Sequence, residues 1–406
     1  MEEGKTNRKG AVMKKTGILL AVLFCFYSAA DGQVILGGEA DFELRKGGSD
    51  SSPVVNQTPG ENLTIYTPYV RLFAGAALTN KWFIEAALQA DYYEGKNLSP
   101  VFFSLLNINW LPIDDSDFMI SAGRFITPYG YYSDRVLSSE NPFVHLPLTH
   151  AWNMGIDKRA GVFSGGVDYD VAGLQGLPMV YQRMYTQGLM VSNSVGENQA
   201  LSYRLAATLA SASSFFAFGE HNTMALTGRI EWNPVIWAKL GTSFSFGPYM
   251  AKDVLNDSYS KSELQKFTQL LAGADVSLSY LYYSLLLEVN YSKWNSPDYD
   301  YNGTIFTEPE VKALHLGGEV QTRLRSLAGA YVGIRGEALL PEKVRQPAPG
   351  GGYDYFRYSN EVVRAEVVFG YKINRQITSK VSYLITSTTP NKTATDVFAI
   401  QLNVVF

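Results

Sequence analysis

Three patterns set opposite charges two residues apart: Arg229/Glu231, Arg335/Glu337 and Arg364/Glu366. Two residues is the repeat of one strand face, so in extended chain each arginine and its glutamate project to the same side. Groups placed this way along a wet surface attract, repel and orient ions, the device by which charged rings set permeability. Arg71, Arg124, Arg204 and Arg323 extend the positive set; Glu39, Asp41, Glu43, Glu85, Asp91, Asp275, Glu288 and Glu319 extend the negative one. Two arrangements are open: wall arginines facing acidic groups of a loop across a constriction, or solvated wall residues paired with one another. Glu39, Asp41 and Glu43 read as wall structure, because they lie on the first strand, at the seam.

The elements that must carry these charges alternate in polarity. Leu201, Tyr203, Leu205, Ala207 and Leu209 interleave with Ser202, Arg204, Ala206 and Thr208, and Val363, Ala365, Val367 and Phe369 with Arg364, Glu366 and Val368. The last segment is the clearest, with Phe398, Ile400, Leu402, Val404 and Phe406 on one side and Gln401 and Asn403 on the other. Such strands separate hydrocarbon from water, and each is near the 9–11 residues that a tilted strand needs to cross a bilayer. The pattern predicts strands near 33–45, 64–78, 82–94, 101–111, 118–126, 183–192, 200–211, 223–233, 237–247, 268–279, 282–293, 311–323, 328–340, 359–371, 376–387 and 396–406. That is an all-β fold, a transmembrane antiparallel β-barrel of about 16 strands, with 14 or 18 as neighbouring counts. Tight turns at Thr79–Lys81, Asn233–Val235 and Lys372–Arg375 alternate with long Gly-, Pro-, Ser- and Asp-rich stretches. That phase places both termini on the short-turn side, in the periplasm. Trp82, Trp110, Trp232, Trp237, Tyr280, Tyr282 and Trp294 gather at strand ends, as rings do at headgroup level.

Lys14 and Lys15, an apolar run from Gly17 to Tyr27 and the small residues Ser28-Ala29-Ala30 predict an export signal over 1–30, cleaved after Ala30 or else after Gly32. Met13 begins a more typical signal than Met1. The only cysteine, Cys25, lies inside this segment. Removing it takes away five basic and two acidic side chains and changes the formal charge from −4 to −7, a balance that argues against nucleic acid as partner. No later stretch supplies the roughly 20 apolar residues of a spanning helix.

One connection, 127–179, far exceeds the rest, and a loop of that length is usually functional. By the turn phase it is the third external loop. It opens Gly-Arg-Phe-Ile-Thr-Pro-Tyr-Gly over 123–130 and continues through Asp134, Arg135 and Glu140 to Asn-Pro-Phe at 141–143 and His150-Ala151-Trp152. Arg135, Lys158 and Arg159 balance Asp134, Glu140 and Asp157. Its rings suit a loop folded inward, and Tyr129, Tyr131, Tyr132 and Trp152 are candidates for an aromatic track along which sugar faces stack; packing against the wall accounts for them equally well.

A barrel of this strand count whose third loop is longest resembles the Gram-negative outer-membrane porins, in which that loop bends into the lumen. The 123–130 and 141–143 stretches resemble the segment after the fifth strand in the phosphate-selective porin O and P group. Phe406, with apolar residues at alternate positions before it, is similar to the signal read by the barrel-assembly machinery. The resemblance implies an integral outer-membrane protein carrying out passive diffusion of small hydrophilic solutes and ions, with outer-membrane lipid around it and a homotrimer as the usual assembly, although the second loop at Gly95 to Pro100 is short for a latch. Phosphate-type channels have basic interiors, whereas this mature chain is acidic, which argues against anion preference. The alternatives are a substrate-preferring channel, for anions such as phosphate or for sugars, and a non-conducting barrel serving as adhesin or surface scaffold. Catalysis is not expected. The four histidines are His145, His150, His221 and His315; the first three fall in loops, His315 stands alone on a wet face, and no metal-ligand spacing or cofactor cradle is present.

Overall fold

A computed structural model describes residues 34–48, 63–91, 101–157, 161–162, 176–216, 219–251, 260–301, 304–348, 350–389 and 394–406. The segment 1–30 read as a signal, the second loop and Lys158 and Arg159 lie outside them. The main sheet holds 17 strand segments. Two of these, Leu63–Tyr66 and Tyr69–Ala77, pair in succession with Val34–Gly47 and form one wall strand interrupted at Thr67-Pro68, where proline has no N–H for the ladder. The wall is therefore a closed antiparallel barrel of sixteen strands.

In chain order these are β1 Val34–Gly47, β2 (the two stretches above), β3 Trp82–Asp91, β4 Phe102–Trp110, β5 Met119–Ile126, β6 Tyr185–Val195, β7 Leu201–Thr208 and β8 Ala225–Val235. They continue as β9 Ala238–Pro248, β10 Thr268–Tyr280, β11 Tyr283–Asn295, β12 Glu310–Arg323, β13 Ala330–Pro341, β14 Glu361–Lys372, β15 Ile377–Thr389 and β16 Ala394–Val405. Each pairs with its chain neighbour, and β1 closes the ring on β16 from Glu39↔Val405 to Gly47↔Val397. Beyond that ladder, Gly38 and Phe406 exchange backbone hydrogen bonds of 2.7 and 3.0 Å, so the last residue completes the seam.

One end of the barrel carries short connections, among them 236–237, 281–282 and 373–376. The other carries long ones, except for 390–393 between β15 and β16. Two long connections contain hairpins that alternation did not mark, Tyr299–Tyr301 with Thr304–Phe306 and Val344–Pro347 with Tyr353–Phe356. No described helix is long and apolar enough to cross a membrane.

The burial pattern inverts that of a water-soluble barrel. On β16, Phe398 and Leu402 are 42% and 38% exposed, while Gln401 and Asn403 are 2% and 1% exposed. A belt of exposed apolar side chains around a buried polar interior is the surface that hydrocarbon solvates. Trp82 and Trp110, opposite each other in register, stack with centroids 5.5 Å apart at the short-turn end. Trp232, Trp237, Tyr280 and Tyr282 are also exposed there, but Trp294 is not a girdle residue. It lies on the inward register of β11 near the long-loop end and is fully buried in the apolar cluster described below.

Arginine at Val367, outward on the middle of β14, is expected to cost about 2–4 kcal/mol, against about 0–1 kcal/mol for arginine at Ile373 in the adjoining turn. Denaturant unfolding of both variants in lipid vesicles checks this; equal costs at the two positions contradict the assigned lipid face.

Candidate functional site

Inward-facing charges meet in register. Arg335 lies opposite Glu366, and Glu337 opposite Arg364, across the β13–β14 ladder; Glu319 on β12 lies opposite Arg335. Adjacent strands thus complete the charge alternation that each Arg-x-Glu begins. Arg335 Nη2 is 2.5 Å from Glu366, and Arg364 Nη2 2.6 Å from Glu337. Arg229 on β8 pairs with Glu231 on its own strand at 2.9 Å and with Asp275 on β10 at 2.6 Å. The arginines of all three patterns are therefore neutralised within the wall. Of the two arrangements open from the sequence, Arg335 and Arg364 adopt pairing within the wall: the cross-strand register supplies the nearest carboxylates, and the loop meets these arginines with carbonyls. Arg335 donates to His145 O at 2.8 Å, and Arg364 donates to Leu146 O. His315, expected to stand alone, interacts with Asn290 and Glu337.

The long connection begins after β5 and returns at β6. Its base is closed by the Thr127 N–H to Met184 O at 3.0 Å. From there its groups bond in turn to inward residues of the wall. Tyr129 donates to Asn290 on β11 at 2.8 Å, and the Gly130 N–H to Ser243 on β9 at 3.0 Å. Gly273 makes room for the first contact, since a Cβ there would lie 2.7 Å from the Tyr129 hydroxyl. Asp134 then pairs with Arg204 on β7 at 2.7 Å, Arg135 with Glu319 on β12 at 2.8 Å, and Val136 O accepts from Arg71 on β2 at 3.2 Å. Around a ring of sixteen, β7, β12 and β2 stand five, six and five strands apart. Three consecutive residues are thus tied to three widely separated parts of the wall.

Further on, wall carboxylates accept the loop's donors. Asp41 accepts from Ser138 Oγ at 2.5 Å, Glu39 from the Ser139 N–H at 2.7 Å and Glu337 from the Leu148 N–H at 2.8 Å. Glu366 accepts the N–H groups of Val144 and His145 and contacts His145 Nδ1 at 2.9 Å. Lys380 on β15 donates to Ser138 O at 2.7 Å and to Gln401 at 2.9 Å. Lys380 was not among the residues expected from the sequence, although alternation with Thr378 and Ser382 marks it as inward. Tyr331 donates to Pro142 O at 2.8 Å, its ring lying across Gly370 in the space a Cβ would fill. Glu39, Asp41 and Glu43 are wall structure, held by Gln401 and Asn403 across the seam.

The remaining site residues divide. Glu140 is exposed and pairs with no arginine among the described residues; partial burial and the charges of Glu39 and Asp134 push its carboxyl above the usual range. Arg323 ends β12 at the short-turn side and is exposed. Arg124 meets no loop acid and is stacked on aromatic rings. The aromatic track is corrected for three of its four rings. Tyr129, Tyr132 and Trp152 are 1%, 8% and 5% exposed, too covered for a sugar face to stack on. They join Leu148, Met154, Tyr249, Trp294 and others in an apolar core at the long-loop end. Only Tyr131 is half-buried, and the Arg135 guanidinium, 4.2 Å from its centroid, covers that ring. Burial pushes the Tyr132 hydroxyl up to about 12. Burial also lowers His145 despite Glu366, and lowers His150 to about 3, with the His315 charge acting the same way.

Comparison with solved structures shows the class of fold. The chain resembles the outer-membrane channel DcaP of Acinetobacter baumannii (TM-score 0.57, 12% identity, covering 92% of this chain and 97% of that chain). It also resembles an anion-selective porin from Comamonas acidovorans (TM-score 0.57, 9% identity, 92% of this chain and 100% of that chain). OmpF of Salmonella typhi matches with TM-score 0.54 and 11% identity over 92% of this chain and 97% of that chain. The fold is that of the outer-membrane porins. No protein-family model matches the chain, and no curated protein matches it in sequence.

Two outcomes test this arrangement. Glu366→Met leaves Arg335 short of its closest carboxylate and is expected to destabilise the folded barrel by about 3 kcal/mol, whereas Arg335→Met added to Glu366→Met recovers much of that loss. A double-mutant cycle by denaturant unfolding measures it, and additive losses contradict the pairing. His150 is neutral in the folded protein down to about 3, whereas in the unfolded chain it takes a proton near 6.5. Its contribution is therefore present above about pH 6.5 and lost as pH falls toward 3. His150→Gln is expected to lessen the stability loss between pH 7 and pH 4.5 by about 2 kcal/mol; identical pH profiles of variant and wild type exclude a neutral, buried His150.

Proposed function

We propose that the protein is an outer-membrane porin through which small hydrophilic solutes and ions diffuse passively, with loop 127–179 as its constriction. The observation that carries this reading is the attachment of Asp134, Arg135 and Val136 to β7, β12 and β2. A chain tied to three such distant strands by adjacent residues crosses the interior, and solutes pass beside it. Width then sieves, and the charges left accessible select. Among the described residues most wall arginines are buried against carboxylates, and Asp134 and Arg204, with side chains 31% and 27% exposed, are an accessible pair where the loop meets the wall. This favours weak selectivity over a basic, phosphate-type interior.

On this reading residues 1–30 are the export signal, the protein resides in the outer membrane and Phe406 serves recognition by the assembly machinery as well as the seam. A homotrimer is the assembly that the fold class suggests. Single-channel recording in planar bilayers tests the proposal: steady ohmic conductance is expected, and no ion current from folded protein overturns it in favour of a surface scaffold. Asp134→Asn is expected to shift the reversal potential in a salt gradient toward anions, and Arg204→Gln toward cations. Unchanged potentials in both place this pair outside the ion path.

A further inference from the structure

Inward carboxylates differ in what they meet. Asp275, Glu319, Glu337 and Glu366 each have an arginine partner. Glu85 on β3 pairs with no arginine or lysine among the described residues. Alternation with Trp82, which stacks outward on Trp110, places it on the inner face, and the register sets it between Gly75 on β2 and Asn107 on β4. It is half-buried. Its one hydrogen bond there comes from Asn109 Nδ2 to Oε2 at 3.1 Å; Asn109 also donates to Asn107 and accepts from Ser121, both at 2.6 Å. The carboxylate is therefore held in place while Oε1 keeps its accepting capacity.

The surroundings of Glu85 are apolar and partly open. Phe83 lies two positions away on the same face, and Phe73 on β2 and Leu105 on β4, both opposite Ala87, are its diagonal neighbours. Such neighbours stand about 7–8 Å apart, within reach of a ring. All three are half-buried. Gly75, directly opposite Glu85, contributes no side chain, and a Cβ there would meet nothing within 4 Å. A carboxylate thus stands beside open space with ring and aliphatic side chains around it. Gly75 is two inward positions from Arg71, toward the short-turn end, so this space lies on the short-turn side of the loop's tie to Arg71.

This combination has a definite chemical preference. An ammonium group donating to a carboxylate oxygen makes a charge-assisted hydrogen bond, stronger than a neutral one. Ring faces beside it attract the cation and cover an attached apolar body, from which a small, strongly hydrated ion gains nothing. We propose that Glu85, with Phe73, Phe83 and Leu105 around the space left by Gly75, forms a lumen binding site for primary organic ammonium ions that carry an apolar body. The ammonium group sits on Glu85 and the body lies against the rings. The site rests on the porin reading for its role in transport, but not for its binding.

The probe is benzylammonium, with ammonium as the same charge without a body and benzyl alcohol as the same body without charge. Calorimetric titration into the folded, detergent-solubilised full chain, referenced to detergent alone, measures binding independently of conductance. Benzylammonium is expected to bind saturably and about tenfold or more tightly than ammonium or benzyl alcohol, and to reduce single-channel current. Glu85→Gln is expected to weaken benzylammonium about tenfold, and Gly75→Leu, which fills the space beside the carboxylate, to abolish its binding. Resistance of the unheated protein to detergent unfolding on gels checks each variant's fold, and Gly75→Leu preserves the test should Glu85→Gln fail to assemble. Equal affinities for benzylammonium and either control, or wild-type benzylammonium binding by a folded Glu85→Gln or Gly75→Leu variant, overturn the site. Benzylammonium binding without any conductance overturns the porin reading and leaves the site standing; conductance without benzylammonium binding does the reverse.

Discussion

In hydrocarbon nothing outside the protein can accept a backbone hydrogen bond, so a sheet that spans a bilayer must have no free edge. Every other feature of this chain follows from how that condition is met. The ladder from Glu39↔Val405 to Gly47↔Val397 joins the first strand to the last, and the exchange between Gly38 and Phe406 extends it to the final residue. Closure turns strand alternation into two separate surfaces. Residues such as Leu402 and Val367 are left to lipid, and their neighbours Gln401 and Glu366 are confined to an interior with limited room.

Confinement is what makes the interior ordered. Carboxylates and guanidinium groups withdrawn from water are costly unless paired and fully hydrogen-bonded. Arg335, Glu366, Glu337 and Arg364 pair with one another across neighbouring strands, and the long loop takes up part of their remaining capacity. Glu366 accepts two of its N–H groups, while Arg335 and Arg364 take the carbonyls of His145 and Leu146. The loop is thus part of the wall's hydrogen-bonding system. Its rings are buried for the same reason: Tyr129, Phe143 and Trp152 fill space between backbone segments that are already tethered.

Much of the barrel is readable from local pattern. Alternation in Val363–Phe369 and Phe398–Phe406 is strong because one face meets lipid and the other does not. Strand number and the placement of 127–179 follow from it. Less was legible where one face has no such contrast. Trp294 sits at a strand end like the girdle rings, yet faces inward, and only the packed loop tells the two environments apart. The hairpins at 299–306 and 344–356 bury rings against each other rather than against lipid, so they lack the wall's signature.

The sequence by itself determined which face of most strands meets lipid, that about sixteen strands cross and which connection is long, because these depend on residues one and two positions apart. The tertiary structure alone decided the partners of the charges. Arg335 meets Glu366, thirty-one positions away, through the register of β13 on β14, and Asp134 meets Arg204 through the path of the loop. Arg124, read from the sequence as a lumen arginine, lies instead opposite the exposed Leu106 on the outward face and meets rings. Those differences arise from non-local contacts that exist only once the ring is closed and the loop is tied inside it.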